Sequence, residues 1–213
     1  MSRRRHGLLI TFEGIDGSGK TTQATLLHRE LSSKGLALVQ TREPGGTRLG
    51  EELRRMLLSS MAAPFQAAEL FLYLADRAQH VAEVIRPAVD SGLIVISDRY
   101  VDSTAAFQGY GRGLPLGLIE EMNKLATGGL LPDLTILLDL DVELARERLR
   151  SRDAAGTTRF ERESHEFHLR VRAGYLELAR QNPERMRVVD ASGSAEETHA
   201  KVMALVESCL MTS

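Results

Sequence analysis

Gly14-Ile15-Asp16-Gly17-Ser18-Gly19-Lys20-Thr21 fits the spacing G-x-x-x-x-G-K-[ST], and Thr22 follows it. Glycines at these places permit backbone turns that a Cβ would forbid, so successive N–H groups can face one anion-sized hollow. Lys20 supplies a movable positive charge for the β- and γ-phosphates, and the Thr21 hydroxyl is placed for Mg²⁺. The chemistry is that of a nucleoside triphosphate with its metal. A bare glycine-rich turn is the bland alternative. An apolar run before the motif and a helix-length stretch after it argue for the phosphate loop.

A second group follows another apolar run. Asp98 stands where a strand end would let its carboxylate hold Mg²⁺, directly or through water, and a capping aspartate is the alternative. Arg99 beside it presents a fork of donors suited to a phosphate. Arg42-Glu43-Pro44-Gly45-Gly46-Thr47 has the composition of a turn at a strand end. Tyr73 and Arg77 lie four apart, on one helix face, where a ring could stack on a base and a guanidinium could meet its carbonyl. Alone, such a pair is more often packing or surface.

Other chemistries lack their residues. A guanine-nucleotide switch needs Asn-Lys-x-Asp, whereas Asn123-Lys124 is followed by Leu125-Ala126. His165-Glu166-Phe167-His168 is not His-Glu-x-x-His and has no evident third ligand.

The elements that must position these residues alternate regularly. Apolar runs at 8–12, 36–41, 93–97, 134–138 and 187–189 read as strands. Stretches at 20–34, 50–60, 119–127, 142–152, 163–181 and 195–210 read as helices. Residues 65–91 read as one long helical stretch that Pro87 should kink or break. Apolar runs without alternation are strands buried on both faces, so the expected fold is α/β, a doubly wound five-stranded parallel sheet with helices on both faces. Ligands then lie beyond the carboxyl ends of the strands. Glu13-Gly14, Arg42-Glu43-Pro44, Asp98-Arg99 and Asp190-Ala191 all fall there.

The chain has 213 residues and a net charge of −2, with 43% hydrophobic residues. That size suits one domain over 1–213 that buries about 70% of its extended surface. The charge balance gives no reason to expect a nucleic-acid or membrane partner. One cysteine, Cys209, cannot form an internal disulfide, and no apolar run is long enough for a membrane span or an export signal, so the cytoplasm is expected.

The phosphate loop occurs together with Thr-Arg-Glu-Pro-Gly-Gly-Thr (41–47), Ala-Asp-Arg-Ala-Gln-His (75–80), Asp-Arg-Tyr (98–100), Ser-Thr-Ala-Ala-Phe-Gln-Gly-Tyr-Gly-Arg-Gly (103–113) and Pro-Asp-Leu-Thr (132–135). In this order, over nearly the whole chain, the set resembles the bacterial thymidylate kinase family of P-loop kinases. The resemblance implies transfer of a phosphoryl group from ATP, with Mg²⁺, to dTMP. It implies that Asp16 contacts the sugar 3′-hydroxyl and that Arg99 and Arg54 hold the dTMP phosphate. Tyr73 would stack on thymine, where the family more often has Phe, and Arg77 would donate to its O4. Ser103, Thr104 and Gln108 would face the base, and Pro44 would line the pocket. Family members usually form homodimers through helices beside the sheet.

Arg146 to Asp153 is a charged helix end, followed by small residues and Arg159-Phe160-Glu161. This resembles the family's mobile lid, expected around 150–163, whose arginine neutralises the transferring phosphoryl in the bacterial variant. Arg152 and Arg159 are the candidates, although Thr158 stands where the family usually has Asp. Arg148 and the Asp190-Ala191-Ser192 loop resemble elements on the adenine side. A kinase for another nucleoside monophosphate or a deoxynucleoside, and a nucleotide-dependent binding module, are the competing readings. A nucleoside acceptor would need a carboxylate base and would leave the phosphate-binding arginines without purpose.

Overall fold

The computed structural model describes residues 7–59, 64–151 and 158–212. Five parallel strands are β1 Leu8–Glu13, β2 Leu38–Arg42, β3 Ile94–Asp98, β4 Leu134–Asp139 and β5 Met186–Asp190. They lie in the order β2-β3-β1-β4-β5. Leu8 of β1 pairs in register with Ile94 of β3, and Ile10 of β1 with Leu134 of β4. The helices are α1 Lys20–Ser33, α2 Arg48–Leu58, α3 Gln66–His80, α4 Arg86–Asp90, α5 Val101–Thr104, α6 Leu116–Thr127, α7 Val142–Ser151, α8 His165–Gln181 and α9 Ala195–Thr212. The expected five-stranded parallel fold is therefore what the chain forms.

The inner strands β1, β3 and β4 are apolar without alternation because both sheet faces are covered there, whereas the edge strands β2 and β5 carry exposed positions such as Gln40, Arg187 and Val188. Leu8, Ile10 and Phe12 of β1 pack with Ala24, Leu27 and Leu31 of α1 and with Val202 and Val206 of α9. Leu9 and Val95 face the other way, onto Val81, Ile85, Val89 and Val101. Leu137 meets Phe107, Phe167 and Val171 on that second face. Each such side chain contributes about 1.5–3 kcal/mol when fully buried. A charge at any β1 position has no solvent-facing side to turn to.

The long stretch from 66 to 90 differs from expectation at Pro87. It neither breaks nor stops there. A π-helical turn, Val81–Ile85, joins α3 to α4, and Arg86 N–H reaches Val81 O. Pro87 follows directly in α4, and the wider turn before it takes up a residue that lacks an N–H without ending the helix. A second π-turn, Ala105–Gly111, prolongs α5. Sequence periodicity gave no sign of that helical segment. Elsewhere the expected boundaries hold within a few residues. Gly128, at φ 57°, closes α6.

Candidate active site

One cleft of about 1700 Å³ runs along the carboxyl ends of the strands. A site for one drug-sized ligand spans roughly 300–1,000 Å³, so this cleft has room for two. Asp16–Thr22 of the phosphate loop lie between its halves. Pro44, Arg54, Tyr73, Ser103, Thr104 and Gln108 line one half; Arg148 and Gly193 line the other.

The loop is built as its glycines suggest. Gly17 has φ 88°, and a Cβ there would stand 2.5 Å from the Ala145 carbonyl oxygen. Gly14 opens the loop directly after β1, and Ser18 N–H returns to Ile15 O at 3.2 Å. Gly19 caps α1 in the left-handed region without any side-chain hydrogen bond. The helix N-terminus thus presents uncapped donors to the cleft, as anion binding requires. Lys20 Nζ donates to Ile15 O at 2.8 Å and lies 3.9 Å from Asp16 Oδ1. Burial and the Arg99 charge push Lys20 down to about 8, against the pull of Asp16, Asp98 and Glu13.

Thr21 Oγ1 donates to Asp98 Oδ2 at 2.5 Å. This pairing joins the two oxygens that the sequence nominates for Mg²⁺. A hydroxyl and one carboxylate are hard donors that leave most positions to phosphate and water, which fits Mg²⁺.

Arg99 sits in a strained position, at φ 76°. A non-glycine residue there costs roughly 1–3 kcal/mol, so its surroundings must hold it. Its N–H donates to Phe12 O at 3.0 Å, its carbonyl accepts from Ser97 Oγ at 2.8 Å, and Tyr100 N–H donates to Glu13 Oε1 at 2.8 Å. The guanidinium donates to Asp16 Oδ1 (2.5 Å), Gly14 O (3.0 Å), Ser103 Oγ (3.0 Å) and Tyr175 OH (3.1 Å). It also lies over the Phe107 ring, 5.0 Å from its centroid. Burial alone would raise the Asp16 carboxyl, but Arg99 and Lys20 hold it below the usual range.

Glu13, at the end of β1, is buried beneath this arrangement. Its Oε2 accepts from Ser103 Oγ at 2.6 Å and Tyr175 OH at 2.9 Å, and its Oε1 accepts from Ser103 N–H at 3.2 Å. Burial and the Asp102 charge push it up to about 7, against Arg99, Ser103 and the Tyr100 N–H. Sequence reasoning placed Glu13 at a strand end but assigned it nothing, and it missed Tyr175. The signal for Glu13 was a carboxylate closing a wholly apolar strand. Tyr175, mid-helix and far along the chain, gave none.

The acceptor half is formed by α2, α3 and the 42–47 loop. Arg54 Nη1 donates to Pro44 O at 2.8 Å, so α2 and the 42–47 loop meet. The Glu43–Pro44 peptide is cis. Gly46 has φ 76°, and a Cβ there would strike Thr41 Oγ1 and His80 Nε2 at 2.6 and 2.7 Å. Tyr73 faces Phe160, with ring centroids 6.2 Å apart.

Arg77 is different. It is 1% exposed and stands behind the pocket wall. Nε donates to Glu43 Oε2 at 2.9 Å, Nη1 to Thr104 Oγ1 at 2.7 Å and Asn123 Oδ1 at 2.5 Å, and Nη2 to Tyr100 O at 2.8 Å. Direct contact with a base would require it to release one of these acceptors. Burial disfavours the Glu43 carboxylate, but Arg77 and His80 outweigh that and keep its pKa below normal.

Arg159 also lies away from the phosphate loop. Its Nη2 is 2.6 Å from Glu69 Oε2, a charge contact without hydrogen-bond alignment, and its Nε donates to Leu57 O at 3.3 Å. Arg152 lies outside the described residues. Arg148 Nη2 donates to Ser192 O and Gly193 O at 3.2 and 3.1 Å, which joins α7 to the loop after β5. Arg146 and Arg150, which sequence reasoning left unassigned, line the same half. His165 pairs with Glu143 at 3.0 Å, and His168 is buried edge-on against Phe167. No group of three or more metal-ligating His, Cys, Asp or Glu side chains occurs among the described residues. No helix among them is long and apolar enough to cross a membrane.

The comparisons with known proteins agree with this geometry. A family model described as thymidylate kinase matches residues 12–202. The thymidylate kinase of Solidesulfovibrio magneticus is 52% identical over 205 residues, covering 93% of this chain and 98% of that protein. That of Leifsonia xyli is 53% identical over 201 residues, 93% of each. A crystal structure of thymidylate kinase from Ehrlichia chaffeensis superposes with a TM-score of 0.79 at 35% identity, covering 94% of this chain and 98% of that one. With a phosphate loop, an arginine-lined acceptor half and this family match over most of its length, the chain belongs to the thymidylate kinase family.

Proposed function

We propose that the chain transfers the γ-phosphoryl group of ATP to the phosphate of dTMP, with Mg²⁺, giving ADP and dTDP. The observation that carries this reading is Arg99, a strained and half-buried guanidinium between the phosphate loop and the acceptor half. An acceptor that is already a phosphate needs such a charge, whereas a nucleoside does not. The acceptor is anionic at neutral pH, so no strong general base is required. Positioning and charge neutralisation do the work.

Lys20 and the uncapped start of α1 bind the phosphates of ATP. Thr21 and Asp98 would hold Mg²⁺, which supplies charge neutralisation on the phosphate oxygens when bound. Arg99 and Arg54 take the dTMP phosphate. Arg99 then exchanges its contact with Asp16 for the ligand, freeing that carboxylate for the sugar 3′-hydroxyl. Tyr73 and Phe107 flank the base, Thr104 and Gln108 read its edge, and Arg77 stiffens the wall behind Thr104. Phe160, buried against Phe107 at 5.6 Å, joins Thr158 and Glu161 in lining the cleft. Of the two lid arginines, Arg152 is the one we assign to the transferring phosphoryl, because Arg159 is engaged by Glu69. Closure of the 150–163 lid excludes water that would otherwise hydrolyse ATP.

Support for a homodimer comes from α3 and α6, which leave Phe71, Leu118 and Leu125 exposed. The cytoplasm, where nucleotides are made, suits a chain with one cysteine.

The test is Mg²⁺-dependent ADP release with dTMP, dUMP, dCMP, dGMP and thymidine in parallel. Strong turnover with dTMP, weaker with dUMP and background for the others is expected. Preference for another acceptor would overturn the base pocket, and ATP binding without acceptor-stimulated turnover would overturn the kinase.

A further inference from the structure

Glu69, on α3, does not line the cleft, yet it is 1% exposed and gathers three side chains from two distant segments. Oε1 accepts from Gln108 Nε2 at 2.8 Å and from Arg112 Nε at 3.3 Å. Oε2 accepts from Arg112 Nη2 at 3.3 Å and meets Arg159 Nη2 at 2.6 Å. Arg112 is held in turn by Glu163 at 2.5 Å and lies 4.6 Å over the Phe167 ring. The carboxylate is thus fixed from several sides before Gln108 meets it.

Gln108 lines the cleft, carried there by the π-turn Ala105–Gly111. A glutamine amide has a donating and an accepting end of nearly the same shape, and only its partners decide which end faces a ligand. A carboxylate accepts and cannot donate. Glu69 therefore draws Nε2 toward itself and leaves the carbonyl oxygen toward the cleft. The edge of thymine carries an N3–H donor between two carbonyl acceptors, whereas cytosine has an N3 lone pair at that place. An outward carbonyl accepts from thymine and opposes cytosine.

We propose that Glu69 is a specificity-determining positioning residue, which selects a keto pyrimidine by fixing the orientation of the Gln108 amide. The inference rests on the reading of the site as a dTMP kinase. It assigns Glu69 no contact with substrate. The arginines keep the carboxylate in place, and Glu69 acts through Gln108.

The experiment compares kcat/KM for dTMP and dCMP in the wild type, Glu69→Gln, Gln108→Ala and the double variant. A glutamine at 69 can donate or accept, so it permits both orientations of Gln108. The expected result for Glu69→Gln is a rise of about tenfold or more in the dCMP-to-dTMP ratio, carried mainly by a higher KM for dTMP, with KM for ATP unchanged. Glu69→Gln should not shift the ratio further once Gln108 is alanine. An unchanged ratio in the single variant, or the same shift in both backgrounds, would overturn the proposal. If circular dichroism shows Glu69→Gln to be unfolded, Glu69→Asp takes its place. It retracts the carboxylate by one methylene and must also raise the ratio. A wild type that does not phosphorylate dTMP would remove the functional reading and this inference together. Wild-type dTMP turnover with an immobile ratio would remove this inference alone.

Discussion

Lys20, Arg99 and Arg77 are three cations at three depths, and their surroundings give them different work. Lys20 is at the loop, with its charge weakened by burial and by Arg99. Lys20→Ala should lose roughly a thousandfold or more in kcat/KM while its melting temperature stays near that of the wild type. The pH dependence has a definite sign. In the proposed reaction the protonated ammonium binds phosphate, and burial and Arg99 push its pKa down to about 8 from the usual lysine range. The kcat/KM for ATP should therefore fall as pH rises through about 8. A profile flat to pH 10 would show an unperturbed lysine. Arg77 was legible as a motif residue, but its role was not. Its acceptors Glu43, Tyr100, Thr104 and Asn123 come from three other segments, and no local spacing reveals such a cage. Arg77→Ala strands the buried Glu43 and should cost about 3–5 kcal/mol in a urea titration. Unchanged stability with only a raised KM for dTMP would instead place Arg77 in the cleft.

Among the elements, the 42–47 loop is held by groups invisible to periodicity. Asp76 of α3 accepts the Gly45 N–H at 2.9 Å, while its other oxygen is buried without a partner. Burial and the nearby Glu43 push its carboxyl up to about 7. A raised carboxyl pKa means that the native state is relatively more stable at low pH and loses that contribution as pH rises through 7. Asp76→Asn keeps an acceptor for Gly45 and removes the charge. It should gain about 2 kcal/mol over the wild type at pH 8, a difference that opens above pH 4 and levels off above 7. Equal stability at all pH values would contradict it. The inner strands were legible because burial on both faces demands unbroken apolar runs, while β2 and β5 at the edges carry shorter ones. The π-turns were not. Each adds one residue to a helical turn, which shifts the apolar phase without any residue type that marks it. Pro87 shows the consequence: a kink or a break is expected there, and the π-turn before it gives an irregular turn through which the helix continues.

For the whole molecule, the sheet order brings the ends of β1, β2, β3 and β5 to one cleft between two ligand halves. Convergence of these strand ends was expected from parallel topology. Which side chains reach the cleft depended on depth, and depth is a property of the packed chain. Phe71 on α3 and Leu125 on α6 remain exposed, and if they cover a second copy, Phe71→Glu with Leu125→Glu should give monomers by light scattering while the wild type is dimeric. A wild type that is monomeric at micromolar concentration would contradict this. The central claim, that one cleft passes a phosphoryl group directly between two bound nucleotides, is tested most directly with ATP radiolabelled at the γ-phosphoryl, dTMP and Mg²⁺. The account predicts that the label moves into dTDP, at a rate abolished by Lys20→Ala. Label released as inorganic phosphate, at the same rate with and without dTMP, would contradict it.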